Sequence, residues 1–236
     1  MPGWHVGCSI DAGMKAGTLF FATVLLDVDG TLIDSNGAHA DTWTQALREH
    51  DIAVETAEVR RLVGMGGDKL LPAVASVSED SDLGRAMAQR KKELFQRFIP
   101  ELRPTKGARA LVQYLRDEGL NIVIATSADD REVSALLRQA GVDDLIPTRA
   151  SKDDAAASKP APDIVQAALH RSGASASESV LIGDTPYDIE AAARAGVPTI
   201  ALRSGGVWSD EDLRRATAIL DDPAALLDYL RASGRG

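Results

Sequence analysis

A chain of 236 residues with 44% hydrophobic and 26% charged residues has room for one large domain, or one domain carrying an insert, around a sizeable core. A net charge of −9 argues against the basic surface that nucleic acid requires, although a bound cation can still reverse the local sign in a site for an anionic substrate. The single cysteine, Cys8, excludes an internal disulfide and fits a reducing cytoplasm, and no apolar run reaches the length of a membrane span.

Residues 1–18 are glycine-rich and aperiodic, lack the basic and apolar regions of a signal peptide, and read as a disordered tail. Residues 20–26 form an apolar, β-branched and aromatic run, the pattern of a strand buried on both faces. It ends in Asp27-x-Asp29-Gly30. Side chains at i and i+2 of an extended strand share a face, so both carboxylates should enter one pocket, and Gly30 lets the chain turn away behind them. Two like charges so close call for a cation, and Mg²⁺ takes hard oxygen ligands while leaving room for a phosphate. The alternative is a solvated acidic turn.

The pattern then changes. Helical spacing predicts helices over 38–50, 56–63, 67–75 and 82–99, with no strand among them, followed by a proline-punctuated linker or hinge at 99–104. Residues 36–103 therefore read as a helical cap spliced into a core formed by 19–35 and 104–236. From 105 onward one theme repeats, a helix stopped by glycine and then a short apolar strand. The helices are predicted at 106–118, 131–140, 162–172 and 186–195, and the strands at 121–125, 145–146, 179–182 and 198–202. A short helix at 213–216, an edge strand at 219–220 and a helix at 223–232 close the chain. The fold class is α/β, a doubly wound, Rossmann-like parallel sheet with helices on both faces. Right-handed crossovers put every strand's C-terminal end on one edge, where such sheets bind ligands.

Three polar groups should meet on that edge beside Asp27 and Asp29. Thr126-Ser127, ahead of Asp129 and Asp130, offer hydroxyls and helix N-terminal amides for a phosphate, or simply cap the next helix. Ser158-Lys159-Pro160-Ala161-Pro162-Asp163 places Lys159 in a stiffened loop, as a phosphate ligand or as a surface lysine; Lys152 has no such frame. Gly183-Asp184-Thr185-Pro186-Tyr187-Asp188 sets two acids about a helix start, as cation ligands or as helix caps. Ser204-Gly205-Gly206 follows the last core strand and reads better as a plain turn.

In this order, the segments resemble the haloacid dehalogenase superfamily of phosphotransferases, in the branch with a helical cap after the first strand. Asp27-x-Asp29-Gly30-Thr31-Leu32-x-Asp34-Ser35, Thr126, Lys159-Pro160 and Gly183-Asp184-x-x-x-Asp188 are similar to its four motifs. The resemblance implies that Asp27 is a nucleophile forming an aspartyl-phosphate and Asp29 a general acid and then base. It further implies that Thr126, Ser127 and Lys159 hold the phosphoryl group. Mg²⁺ would sit on Asp27, the main-chain carbonyl of Asp29 and Asp184, with Asp188 in support. Relatives that dehalogenate carry an aromatic residue at the position of Asp29, so a phosphate ester is implied instead. Residues 63–69 lie where relatives carry a specificity loop, which makes Gly64, Met65 and Lys69 candidate substrate contacts. His39 falls where some sugar-phosphate mutases of the family have histidine.

The function so implied is a Mg²⁺-dependent, cytoplasmic phosphatase, monomeric or homodimeric, acting on a small phosphorylated metabolite. It is of the phosphoglycolate phosphatase and β-phosphoglucomutase-like branch, and partners of nucleic acid or membrane are not expected. A mutase returning the phosphoryl group to sugar is the competing enzyme reading. A receiver-type signalling phosphoprotein is the competing non-enzyme reading, against which the cap and chain length argue.

Overall fold

The computed structural model describes residues 21–233, so the tail expected at residues 1–18 lies outside the described residues. In chain order the elements are β1 (Thr23–Leu26), β2 (Ile33–Asp34), α1 (Asn36–Arg48), α2 (Thr56–Arg60), α3 (Gly67–Ala75), α4 (Asp82–Phe98), β3 (Arg103–Pro104) and α5 (Ala108–Asp117). There follow β4 (Asn121–Ala125), α6 (Asp130–Gln139), β5 (Thr148–Ala150), α7 (Asp163–Ser172), β6 (Ser179–Gly183) and α8 (Pro186–Arg194). The chain closes with β7 (Thr199–Leu202), α9 (Asp210–Leu213), β8 (Ala218–Leu220) and α10 (Pro223–Ser233).

Six strands form a parallel sheet in the order β5-β4-β1-β6-β7-β8. All four residues of β1 are buried at its centre, in register with β4 on one side and β6 on the other (Leu25 opposite Val123 and Leu181). The period of two sorts its side chains between the faces. Val24 and Leu26 pack with α5, α6 and α10 through Leu111, Leu136 and Leu226, while Leu25 packs with α7 and α8 through Val165 and Ala191. Glycine ends four of the core helical segments in left-handed conformation, at Gly119, Gly141, Gly173 and Gly196, as the repeating pattern predicts.

Helices α1 to α4 are the inserted cap and hold a separate apolar cluster of Trp43 and Leu47, Val59, Leu70 and Leu71, and Met87. The cap connects to the core through a two-stranded antiparallel ribbon in which Ile33 faces Pro104 and Asp34 faces Arg103. Sequence spacing shows only a linker here, because a two-residue strand has no period and Pro104 has no N–H to pair. Another strand lies elsewhere than predicted. Leu145 and Ile146 are buried in the core but belong to no strand, and β5 begins after Pro147 at Thr148. Burial of an apolar pair alone does not provide a ladder. No helix among the described residues is long and apolar enough to cross a membrane.

Candidate active site

Because the strands run parallel, Asp27 (after β1), Thr126 (after β4), Lys152 (after β5) and Asp184 (after β6) all leave the sheet on one edge. The strand order reverses direction at β1, with β4 and β5 to one side and β6 to β8 to the other, so Asp27 sits at the topological switch point. A cavity of about 260 Å³ opens there between sheet edge and cap, lined by Asp27, Asp29, His39, Thr126 and Ser127 and by residues 63–67.

Lys159, Asp184 and Asp188 lie behind Asp27, each 1% exposed. The Lys159 ammonium donates to Asp27 Oδ1 and to Asp188 Oδ1, both at 2.6 Å. Asp188 also closes a capping box at the start of α8: Thr185 Oγ1 donates to its Oδ2 at 2.6 Å and the Thr185 amide does so at 3.0 Å. Asp188 is therefore part of a helix cap and also stands in the carboxylate group around Asp27. Thr31 Oγ1 lies 3.4 Å from Asp27 Oδ2 and 3.5 Å from Asp184 Oδ1, between the two acids.

The charges decide what else the site can hold. Ligand atoms of Asp27, Asp184 and Asp188 lie within 4.8 Å of one another in a buried position, with Lys159 as the cation in direct contact. Burial, opposed by Lys159 and reinforced by Asp188 and Asp29, pushes the Asp27 carboxyl up to about 7. Burial and repulsion from Asp188 and Asp27 likewise hold Asp184 well above the usual carboxylate range. Hard oxygen donors with an excess of buried negative charge fit a divalent cation. Asp29 behaves in the opposite way. Burial raises it, but His39 Nε2 at 2.8 Å from Oδ1 and the hydrogen bond donated by Ser35 Oγ outweigh that and bring it down to about 2. Its side chain is engaged by these two residues and is not among the clustered carboxylates of Asp27, Asp184 and Asp188, which leaves its main-chain carbonyl as the candidate cation ligand.

Thr126 Oγ1 accepts from the Ala128 amide at 3.2 Å, while Asp129 is the N-cap of α6. The capping alternative for Thr126 thus falls to Asp129. Ser127 Oγ is buried with no hydrogen-bond partner at the cavity wall, an orphan that a ligand oxygen would satisfy. In the cap, Gly64 and Met65 line the cavity, but Lys69 does not: its side chain is 43% exposed and its amine lies 3.5 Å from Asp68. Two residues past the start of α3, its side chain is carried outward. His39 is on the cavity wall, stacked on Phe95 at 3.8 Å, and reaches Asp29.

Sequence reasoning missed the charged rim. Lys152 pairs with Glu79 at 2.8 Å, Lys92 with Asp129 at 2.5 Å and Lys91 with Glu132 at 3.5 Å. Each pair joins core to cap, and all six residues line the cavity. The role of Asn36 was also missed, and Ser35 was named only as the end of the first motif. The one signal for Asn36 is its place directly after that motif, at the start of a helix.

A family model for haloacid dehalogenase-like hydrolases matches residues 24–202, from β1 to β7. The chain belongs to that family. The hydrolase is 30% identical, over 88% of its length and 90% of the relative's, to a phosphoglycolate phosphatase of Rhodospirillum rubrum. Among solved structures it is similar to a hydrolase from Pseudomonas syringae (27% identity, TM-score 0.83, 89% of this chain and 98% of that one). It also shares its fold with a β-phosphoglucomutase from Clostridium difficile (18% identity, TM-score 0.79, 91% and 97% covered).

Proposed function

We propose that this hydrolase is a Mg²⁺-dependent phosphatase of a small phosphorylated metabolite, working through an aspartyl-phosphate on Asp27. The observation that carries the reading is Asp27 itself: a buried carboxylate at the switch point, clamped by Lys159 and open to a small cavity between core and cap. The likeness in sequence to a phosphoglycolate phosphatase supports the substrate class.

In the first half-reaction an Asp27 carboxylate oxygen attacks phosphorus, the bond from phosphorus to the leaving oxygen breaks, and Asp29 delivers a proton to that oxygen. In the second, the Asp29 carboxylate takes a proton from water as the water oxygen attacks phosphorus and Asp27 is released. His39 and Ser35 hold Asp29 ionised at rest, which suits the base; a phosphoryl anion beside Asp29 opposes their pull, which suits the acid. Thr126, Ser127 and Lys159 hold the phosphoryl oxygens. Mg²⁺, held by Asp27, Asp184 and the main-chain carbonyl of Asp29 with Asp188 behind them, would supply charge stabilisation for the transferring group. The cap, residues 36–103, moves on the ribbon of β2 and β3 and excludes bulk water when closed. Gly64 and Met65 face the leaving group, and the single cysteine fits a cytoplasmic location.

Asp27→Asn should abolish hydrolysis of p-nitrophenyl phosphate and leave the circular-dichroism spectrum unchanged; activity near wild type refutes the assignment. Phosphate release across a panel of phosphorylated metabolites then finds the substrate. The contact of His39 with Asp29 favours a second reading, a sugar-phosphate mutase. Conversion of glucose-1-phosphate to glucose-6-phosphate without free phosphate would establish it.

A further inference from the structure

We propose that Asn36 is a positioning residue for Asp184, fixing that carboxylate for its cation and tying the first turn of the cap to the cation site. The inference rests on the reading of Asp184 as a cation ligand. Asn36 is the first residue of α1 and is 5% exposed. Its Nδ2 donates to Asp184 Oδ2 at 2.8 Å and reaches the Gly205 carbonyl at 3.5 Å, while its Oδ1 is buried without a partner.

The space around this pair is made for it. A Cβ on Gly30 would lie 2.2 Å from Asp184 Oδ2 and 2.4 Å from Asn36 Nδ2, and Gly30 has φ +72°. A Cβ on Gly205 would lie 1.8 Å from the same carboxylate oxygen and 3.0 Å from the same amide nitrogen. Two glycines from separate loops, after β1 and after β7, thus clasp the amide and the carboxylate. Ser204 Oγ donates to the Gly30 carbonyl at 2.7 Å and joins the loops, and Arg60 of α2 reaches the Gly205 carbonyl at 3.4 Å. The turn at 204–206, plain in the sequence, is a wall of the site.

A carboxylate on a free side chain rotates about its last bond. Fixing Oδ2 with a donor leaves Oδ1 facing Thr31, 3.5 Å away, on the Asp27 side. Outer partners that orient a ligand in this way change metal affinity by roughly 10–100-fold when removed. Because Asn36 belongs to the cap helix, the linkage is reciprocal: a bound cation favours the docked first turn, and the docked turn favours the cation.

The test is calorimetric titration of the metal-free protein with Mg²⁺, alongside hydrogen exchange of the α1 amides. Asn36→Ala should raise the Mg²⁺ Kd about ten-fold or more, with the metal-free melting midpoint close to wild type. Mg²⁺ should slow exchange in the first turn of α1 in wild type and not in Asn36→Ala. If that variant does not fold, Gly205→Ala, which pushes on the same oxygen from the other side, should give the same rise. An Mg²⁺ Kd within about two-fold of wild type in a folded variant overturns the inference, since outer partners act well beyond that range. Asp184→Ala is the control that separates the two claims: if it binds Mg²⁺ as tightly as wild type, the cation site is elsewhere and the reading beneath the inference falls.

Discussion

Raising the pH of the metal-free protein should weaken the fold in a window set by Asp27. The folded chain holds the Asp27 proton up to about pH 7 because burial disfavours the charge, whereas the unfolded chain gives it up near 3.8. A raised folded value means that the stabilising contribution is complete below the unfolded value and is lost as pH climbs to the folded one. The loss runs at about 1.4 kcal/mol per pH unit and totals about 4 kcal/mol above pH 7. Asp184 shifts in the same direction and adds to it. Asp29, held down at about 2, acts only in more acidic solution and leaves this window untouched. Between pH 5 and pH 8, Asp27 alone should remove about 3 kcal/mol, which at a urea m-value of about 2–3 kcal/mol/M lowers the unfolding midpoint by about 1 M. A cation on the folded state offsets this by mass action, about 2.7 kcal/mol at a hundred-fold excess over its Kd. Urea unfolding in EDTA and in excess Mg²⁺ at the two pH values measures both effects. Mg²⁺ should restore the midpoint at pH 8 and do little at pH 5, and Asp27→Asn should flatten the pH dependence in EDTA. A midpoint in EDTA that does not change with pH, or an equal gain from Mg²⁺ at both pH values, refutes the account of the charge cluster.

Three further outcomes follow from the same geometry. His39→Ala removes the largest influence lowering Asp29, so the acid limb of kcat, where Asp29 must be ionised to act as base, should move to higher pH; an unmoved limb in a pH–rate profile separates His39 from the acid–base step. Lys159→Met leaves Asp27 and Asp188 buried without their shared cation, which should cost about 3–5 kcal/mol near neutral pH, less at pH 5, and remove turnover; denaturant titration and p-nitrophenyl phosphate hydrolysis read the two losses. Gly30→Ala combines a left-handed backbone with a side chain 2.2 Å from Asp184 Oδ2, so a loss of about 1–3 kcal/mol in stability should accompany loss of the Mg²⁺-induced rise in melting midpoint.

Much of the candidate site was legible because three of its four motifs begin at the end of a buried strand. Asp27, Thr126 and Asp184 stand directly after strands of the parallel sheet, and parallel order alone brings their positions to one edge. Lys159 was legible from its proline frame, though nothing in that frame says that its ammonium would bridge Asp27 and Asp188. Lys69 stands off the cavity that Gly64 and Met65 line, because α3 has begun by Gly67 and two residues into a helix the side chain has rotated away. The pairs Lys152–Glu79, Lys92–Asp129 and Lys91–Glu132 left no trace, since their partners are 73, 37 and 41 residues apart in the chain.

The sequence by itself determined the sheet, the insert and the residues at the strand ends, because burial of apolar runs and the period of each element are local properties. Only the tertiary structure decided how the acids divide their work. Asp27 and Asp29 stand two positions apart with the same side chain, yet one is pushed up by burial beside Asp188 and the other drawn down by His39 of the cap and by Ser35. Charge regulation of this kind depends on distance through space, and neighbours in space are chosen by the fold.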